Sequence, residues 1–145
     1  MIMPSDTAGV PSVLIADDNP QILELLEAYL EPLALRVLTA KDGQATLEVV
    51  ESEQPDLILL DIMMPRRSGF EVCRILKKDP RYRAIPIIMV TALNEIADME
   101  RARESGADCF LSKPVNKLEL LDHVRDLLGL KKPDSAAGPD ASQGG

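Results

Sequence analysis

Five polar residues stand at the ends of apolar runs, and their types suit one kind of chemistry. Asp17 and Asp18 follow Val13-Leu14-Ile15-Ala16, and Asp61 follows Leu57-Ile58-Leu59-Leu60. Thr91 closes the run from Ile85 to Val90, and Lys113 follows Cys109-Phe110-Leu111-Ser112. Three carboxylates brought close repel one another, so such a site needs either a raised pKa or a cation. A cation is the better answer. Carboxylate oxygens, a main-chain carbonyl and water are the ligand set of Mg²⁺, whereas no Cys or His lies near the acids to suggest zinc. Beside such an ion a lysine ammonium and a threonine hydroxyl can grip a phosphoryl group, for which an aspartate carboxylate is a covalent acceptor. Taken singly, each residue has an ordinary alternative as a loop cap, a solvated acid or a surface charge. Their joint placement is the informative feature.

For these residues to meet, the runs must lie side by side. An unalternating apolar run such as Leu57–Leu60 suits a strand covered on both faces. Pro65 and Gly69 then force the chain out of that strand into a loop and a new helix. Between the runs, apolar residues recur at helical spacing. Asn19-Pro20 reads as a cap and first helical residue ahead of Ile22, Leu23, Leu26, Tyr29 and Leu30, with Pro32 as the stop. Arg36 to Ala40 reads as a strand. Asp42-Gly43 turns into a helix bearing Leu47 and Val50, and Phe70, Val72, Cys73 and Leu76 mark another, stopped by Asp79-Pro80. A fourth helix over 94–105 has only Ile96, Met99 and Ala102 as its apolar face and ends at Gly106, so it is expected to be the least anchored element. A fifth begins at Asn116 with Glu119 three residues on and buries Leu120, Leu121, Val124, Leu127 and Leu128 before Gly129.

Strand and helix alternate five times. That pattern calls for an α/β fold: a doubly wound, five-stranded parallel sheet with five helices on its two faces. In such a sheet of order 2-1-3-4-5, the flavodoxin-like arrangement, the first and third strands are neighbours, and their carboxyl ends form the crevice where open α/β sheets take ligands. Residues 1–11 are expected as a poorly ordered lead-in. Residues 131–145, with almost no apolar surface to bury, are expected as a disordered tail or linker remnant.

At 145 residues and a net charge of −8, the chain has room for one folded unit and an acidity that disfavours direct nucleic-acid or anionic-membrane binding. There is no apolar run of membrane-spanning length and no signal-peptide pattern, so a cytoplasmic protein is expected, with Cys73 and Cys109 as reduced core thiols. His123, far from the acids in sequence, reads as a surface or flanking residue. Arg66, Arg67, Arg74, Lys77, Lys78, Arg81 and Arg83 are seven of the sixteen basic residues; a solvated helix face is the preferred reading, a docking patch for an acidic partner the other. No Gly-rich phosphate loop or Gly-x-Ser-x-Gly elbow occurs, which removes the commoner enzymes of this fold class.

The segments Leu-Ile-Ala-Asp-Asp at 14–18, Leu-Leu-Asp-Ile-Met-Met-Pro at 59–65, Val-Thr-Ala at 90–92 and Lys-Pro at 113–114 resemble the receiver domain of bacterial two-component response regulators, over about residues 12–130. The resemblance implies that Asp61 accepts a phosphoryl group from a phosphohistidine of a sensor histidine kinase or a histidine phosphotransfer protein. It implies further that Asp17, Asp18, Asp61 and the main-chain carbonyl of Met63 hold Mg²⁺. Thr91 and Lys113 would contact the phosphoryl oxygens, the Lys113–Pro114 bond would be cis, and Phe110 would be an aromatic switch that swings inward as Thr91 moves. Output would pass to a downstream protein through the face made by the fourth helix, fifth strand and fifth helix. Asn19 stands where many relatives carry Glu. Met63 and Leu93, each two residues beyond a site residue, place apolar groups where relatives tune hydrolysis, which implies a long-lived phosphoryl group. Two rival readings stay open: a phosphohydrolase, disfavoured because Met63 stands where a proton-donating acid is wanted, and a scaffold that is never phosphorylated. The chain would then be either a stand-alone regulator or a piece of a larger one whose effector domain is missing.

Overall fold

Three strands made almost wholly of aliphatic residues form the centre of the molecule. In the computed structural model, which describes residues 9–92, 100–101 and 103–130, β1 (Ser12–Ala16), β3 (Leu57–Asp61) and β4 (Ile87–Thr91) are buried at every position. The flanking strands β2 (Arg36–Ala40) and β5 (Cys109–Ser112) are only partly covered, as edges must be. All pairings are parallel, in the order β2-β1-β3-β4-β5. The expected strand order is the observed one.

Alternation along the strands sorts the core into two layers. Leu14, Ala16, Ile58, Leu60, Ile87 and Met89 face one side, where they meet Val50 of α2 (Gly43–Glu53) and Phe70, Val72, Cys73 and Leu76 of α3 (Gly69–Lys78). Val13, Ile15, Leu57, Leu59, Ile88 and Val90 face the other, against Leu23, Leu26 and Leu30 of α1 (Pro20–Leu30) and Leu120, Leu121 and Val124 of α4 (Lys117–Leu128). Each of these four helices starts with a side-chain cap at the rim where a strand has just ended. Asn19, Asp42, Ser68 and Asn116 accept from the main-chain N–H of Gln21, Ala45, Glu71 and Glu119, respectively. Such caps satisfy donors that a helix cannot pair internally.

Several boundaries differ from expectation. α1 stops at Leu30, and Pro32 lies inside a 3₁₀ turn over Glu31–Leu33 rather than at the helix end. β4 begins at Ile87, because Pro86 cannot donate to the ladder. Four helices of two turns or more are described. The expected fourth helix over 94–105 lies largely outside the described residues, of which 100, 101, 103 and 104 are helical. The tail over 131–145 and the first eight residues also lie outside them, whereas the Pro11 carbonyl accepts from Arg36 N–H at 3.0 Å, so the end of the lead-in is tied to β2.

The basic cluster is less solvated than its sequence suggested. Lys77 Nζ donates to the carbonyls of Arg83 and Ile85 at 3.1 and 2.7 Å and to Asp108 at 3.0 Å, joining α3 to the turn before β4 and to the lead-in of β5. Arg66, Arg67 and Arg81 pair with Asp42, Glu71 and Asp79. Arg74, Lys78 and Arg83 remain on the exposed surface.

Two glycines set the loop that follows Asp61. A Cβ on Gly69 would stand 2.3 Å from the Asp61 carbonyl oxygen, and one on Gly43 would stand 2.3 Å from the Arg67 carbonyl oxygen. Close backbone packing there is reinforced by Gly69 N–H donating to the Ile62 carbonyl at 2.8 Å and Gly43 N–H to the Pro65 carbonyl at 3.2 Å. Gly69→Ala should therefore cost about 1–3 kcal/mol, the usual range for overpacking. Urea denaturation checks this, with the midpoint lowered and the slope unchanged.

Candidate functional site

The carboxyl ends of β1 and β3 are adjacent because Ala16 pairs with Leu60, so the residues that follow, Asp17 and Asp61, stand side by side. Asp17 N–H donates to the Ala40 carbonyl at 3.0 Å, and its Oδ1 accepts from Asn19 N–H at 2.9 Å. The side chain is thereby fixed from both directions. On the far side of β3, Asp61 pairs with Val90, and Thr91 pairs with Ser112. Lys113 N–H donates to the Thr91 carbonyl at 2.8 Å, and the Lys113–Pro114 peptide bond is cis.

From that position Lys113 Nζ reaches Asp17 Oδ2 at 2.9 Å and Asp61 Oδ1 at 3.3 Å. Its two partners are nearly closed to solvent, with side-chain exposures of 3 % and 6 %. Asp18, exposed, joins them: one carboxylate oxygen from each of Asp17, Asp18 and Asp61 lies within 4.8 Å of the others. Among the described residues no other group of three such ligands is gathered so closely. Oxygen donors of this kind, clustered without thiolate or imidazole, fit Mg²⁺ and not zinc.

The electrostatics are unbalanced by design of the cluster, three acids facing one ammonium. Burial raises the pKa of Asp61, and Asp17 raises it further; Lys113 pulls it down without cancelling the rise. Burial works against the charge of Lys113, but its hydrogen bond to Asp17 and the charge of Asp61 outweigh this and hold its pKa above the ordinary value.

Sequence reasoning placed Asp17, Asp18, Asp61 and Lys113 together, and the structure does so. Thr91 is buried at the end of β4 on the same rim. Met63 is 67 % exposed in the loop beyond Asp61. Phe110 lies three residues before Lys113 and is half-buried against the α2–α3 layer. It pairs with Met89 and has the Arg103 guanidinium 5.9 Å from its ring centre. Leu93 lies outside the described residues. One expectation needs correction: Cys109 is only half-buried, at the edge of the core. His123, expected as a surface or flanking residue, is half-buried with its Nδ1 3.2 Å from Cys109 Sγ, a contact that was not expected. Neither had a signal in the sequence: the two are fourteen residues apart and meet only when α4 folds back on the sheet.

The raised Asp61 pKa has a stability consequence with a definite sign. Between the unfolded value, near 3.8, and the higher folded value, the native state binds more protons, so stability falls as pH rises through that window. Above it the full penalty of the buried charge persists. Asp61→Asn should therefore raise the thermal midpoint in EDTA at pH 7, and the advantage should shrink toward nothing as the pH falls below 4. Paired melts at the two pH values measure it.

Comparison with known proteins agrees with this geometry. PleD, a response regulator of Caulobacter vibrioides, is 44 % identical over 119 residues, which are 82 % of this chain and 26 % of PleD. The chain spans between about a quarter and a half of the length of the curated relatives it matches. Among solved structures, the signal receiver domain of a signal transduction histidine kinase from Syntrophus aciditrophicus superposes with a TM-score of 0.78 at 35 % identity, covering 86 % of this chain and 95 % of that one. The receiver domain of sensor histidine kinase PA1611 from Pseudomonas aeruginosa PAO1 has a TM-score of 0.77 at 29 % identity, covering 83 % and 98 %, and holds a magnesium ion in its active-site cleft. The model of the response regulator receiver domain matches residues 13–125, and the chain accordingly belongs to that family, the receivers of phosphorylation-activated two-component signalling.

Proposed function

We propose that Asp61 is the phosphoacceptor, charged by a phosphohistidine of a sensor histidine kinase or histidine phosphotransfer protein. The observation that carries this reading is the meeting of Asp17, Asp18, Asp61 and Lys113 at one rim, with the lysine ammonium bridging two of the acids. An Asp61 carboxylate oxygen attacks phosphorus as the P–N bond to the donor imidazole breaks. Lys113, already poised at Asp61 Oδ1, donates to a phosphoryl oxygen, and the Thr91 hydroxyl is the second donor. Asp17, Asp18, Asp61 and the Met63 carbonyl are the residues that would hold Mg²⁺. When bound, the ion supplies neutralisation of the charge on the phosphoryl oxygens.

Receiver domains are signalling domains rather than turnover enzymes. Met63 supports the same view here, since no acid stands two residues after Asp61 to protonate a leaving group. The proposed output is a protein contact on the face formed by residues 100, 101, 103 and 104, β5 and α4, reached through Thr91 and Phe110. A second reading, in which this receiver is the input of a longer regulator with an effector domain, rests on the greater length of the curated relatives. No helix among the described residues is long and apolar enough to cross a membrane.

Incubation with a small phosphodonor such as acetyl phosphate and Mg²⁺ should add one phosphoryl group per chain by mass spectrometry, and none in Asp61→Asn or in excess EDTA. Uptake by the Asp61→Asn protein at the wild-type level would remove the assignment. Met63 offers no polar group to orient an attacking water, so the phosphoryl group should persist for minutes or longer. Met63→Asn should hasten its loss several-fold; equal decay in both proteins would show that this position does not set the lifetime.

A further inference from the structure

The chain's single histidine meets one of its two cysteines well away from the acidic rim. Cys109 opens β5, and its Sγ lies 3.2 Å from Nδ1 of His123 on α4, both residues half-buried. Cys109 pairs with Ile88 near the start of β4, whereas Ser112 pairs with Thr91 at its end. Three residues of strand put the pair roughly 10 Å from the rim.

Glu119 precedes His123 by one helical turn and so shares its face of α4. It is exposed, and its charge is felt at the Cys109 thiol, whose pKa is raised first by burial and then by Glu119 and Asp108. Thiolate, imidazole and carboxylate are the three protein ligand types of zinc. With metal–sulfur and metal–nitrogen bonds of about 2.3 and 2.0–2.1 Å, two ligands at a tetrahedral angle stand roughly 3.5 Å apart. The observed 3.2 Å lies within a few tenths of an ångström of that spacing. The Glu119 carboxylate is not gathered with the other two as it stands. Its side chain is exposed, one helical turn before His123, and in the proposed site it would turn toward the pair.

We propose that Cys109 and His123, with Glu119 as a third ligand, bind a zinc-like divalent transition-metal cation that fastens β5 to α4. On binding, the S–H bond is exchanged for a sulfur–metal bond and the proton passes to solvent, with no change of oxidation state. An ordinary thiol–imidazole hydrogen bond is the competing account of the same contact. Because Cys109 directly precedes Phe110, a cation here would stiffen the face proposed for output, independently of phosphorylation.

Co²⁺ is the probe that separates the two accounts. The full chain, reduced and in excess Mg²⁺, is titrated with Co²⁺ while thiolate-to-cobalt charge-transfer absorption is followed in the near ultraviolet. One equivalent should bind with that absorption and be displaced by Zn²⁺. Cys109→Ala should abolish the signal and Cys73→Ala should leave it intact. His123→Gln and Glu119→Gln should each weaken binding by about tenfold or more, since even outer partners of metal ligands are worth that much. A wild-type chain that shows no thiolate absorption, or a signal retained at unchanged affinity in His123→Gln, would overturn the site.

Discussion

Lys113 bridging Asp17 and Asp61 is the constraint on which the rest of the structure depends. It ties the end of β5 to the ends of β1 and β3, which are not its sheet neighbours, across the rim of the sheet. A pair so closed to solvent adds little net stability, because desolvating the charges offsets much of their attraction. What it fixes is position. Once the ammonium is held between two acids, Asp61 is oriented, and a third acid, Asp18, leaves the cluster with more negative charge than the protein itself neutralises. On the proposed assignment of Asp61 as phosphoacceptor, that residual imbalance attracts the ion the transfer needs and cannot be relaxed by rearrangement within the chain.

Holding the acids at this distance requires a backbone that does not yield. On one side Asn19 both caps α1 and donates its N–H to Asp17, so the helix and the acid share one residue. On the other, the loop from Ile62 to Ser68 is pressed against α2 and α3 at Gly43 and Gly69, where no side chain fits. Arg66 adopts a left-handed conformation, φ 73°, in the same loop and pairs with Asp42, the cap of α2. The site is thus bounded by helix starts, and the sheet order places those starts at one rim.

How much of this was legible in the sequence follows from where each signal lives. β1, β3 and β4 could be read from Val13–Ala16, Leu57–Leu60 and Ile87–Val90 because burial on both faces leaves an unbroken apolar run. The convergence of Asp17, Asp18, Asp61 and Lys113 followed once the receiver-like strand order was adopted, since a residue just past a strand's end must lie on the rim. Side-chain partnerships between distant segments carried no such signal. Lys77 looked like one charge in a solvated cluster, yet its ammonium is taken up by two carbonyls and Asp108, thirty-one residues on. Thr46 is fully buried on α2, where only Leu47 and Val50 carry an apolar signal: its hydroxyl donates to the Asp42 carbonyl at 2.7 Å, so a polar residue occupies an inward position. Cys109 and His123 belong to the same class, a contact created by packing.

The proposed route from the rim to the output face can be weighed in energy. Alternation along β4 and β5 puts Thr91, Met89 and Phe110 on the same side of the sheet, so a displaced Thr91 side chain acts on the layer in which Phe110 packs. Moving a two-state population from one part in a hundred to ninety-nine requires about 5.5 kcal/mol of differential interaction. A phosphoryl group brings roughly −1.5 to −2 charges and three acceptors, and a hydrogen bond to a charged group is worth about 1.5–3 kcal/mol. On the proposed assignment, bonds from Lys113 and Thr91 together come to about 3–6 kcal/mol, which meets that requirement only at its upper end. Phe110 is half-buried and stacked at 5.9 Å from an exposed guanidinium, that of Arg103. Such a contact contributes about 0.5–1 kcal/mol at an exposed site. On the proposed assignment the guanidinium contact is weaker than the new phosphoryl contacts, and the remaining restraint on the ring is its partial burial against the α2–α3 layer.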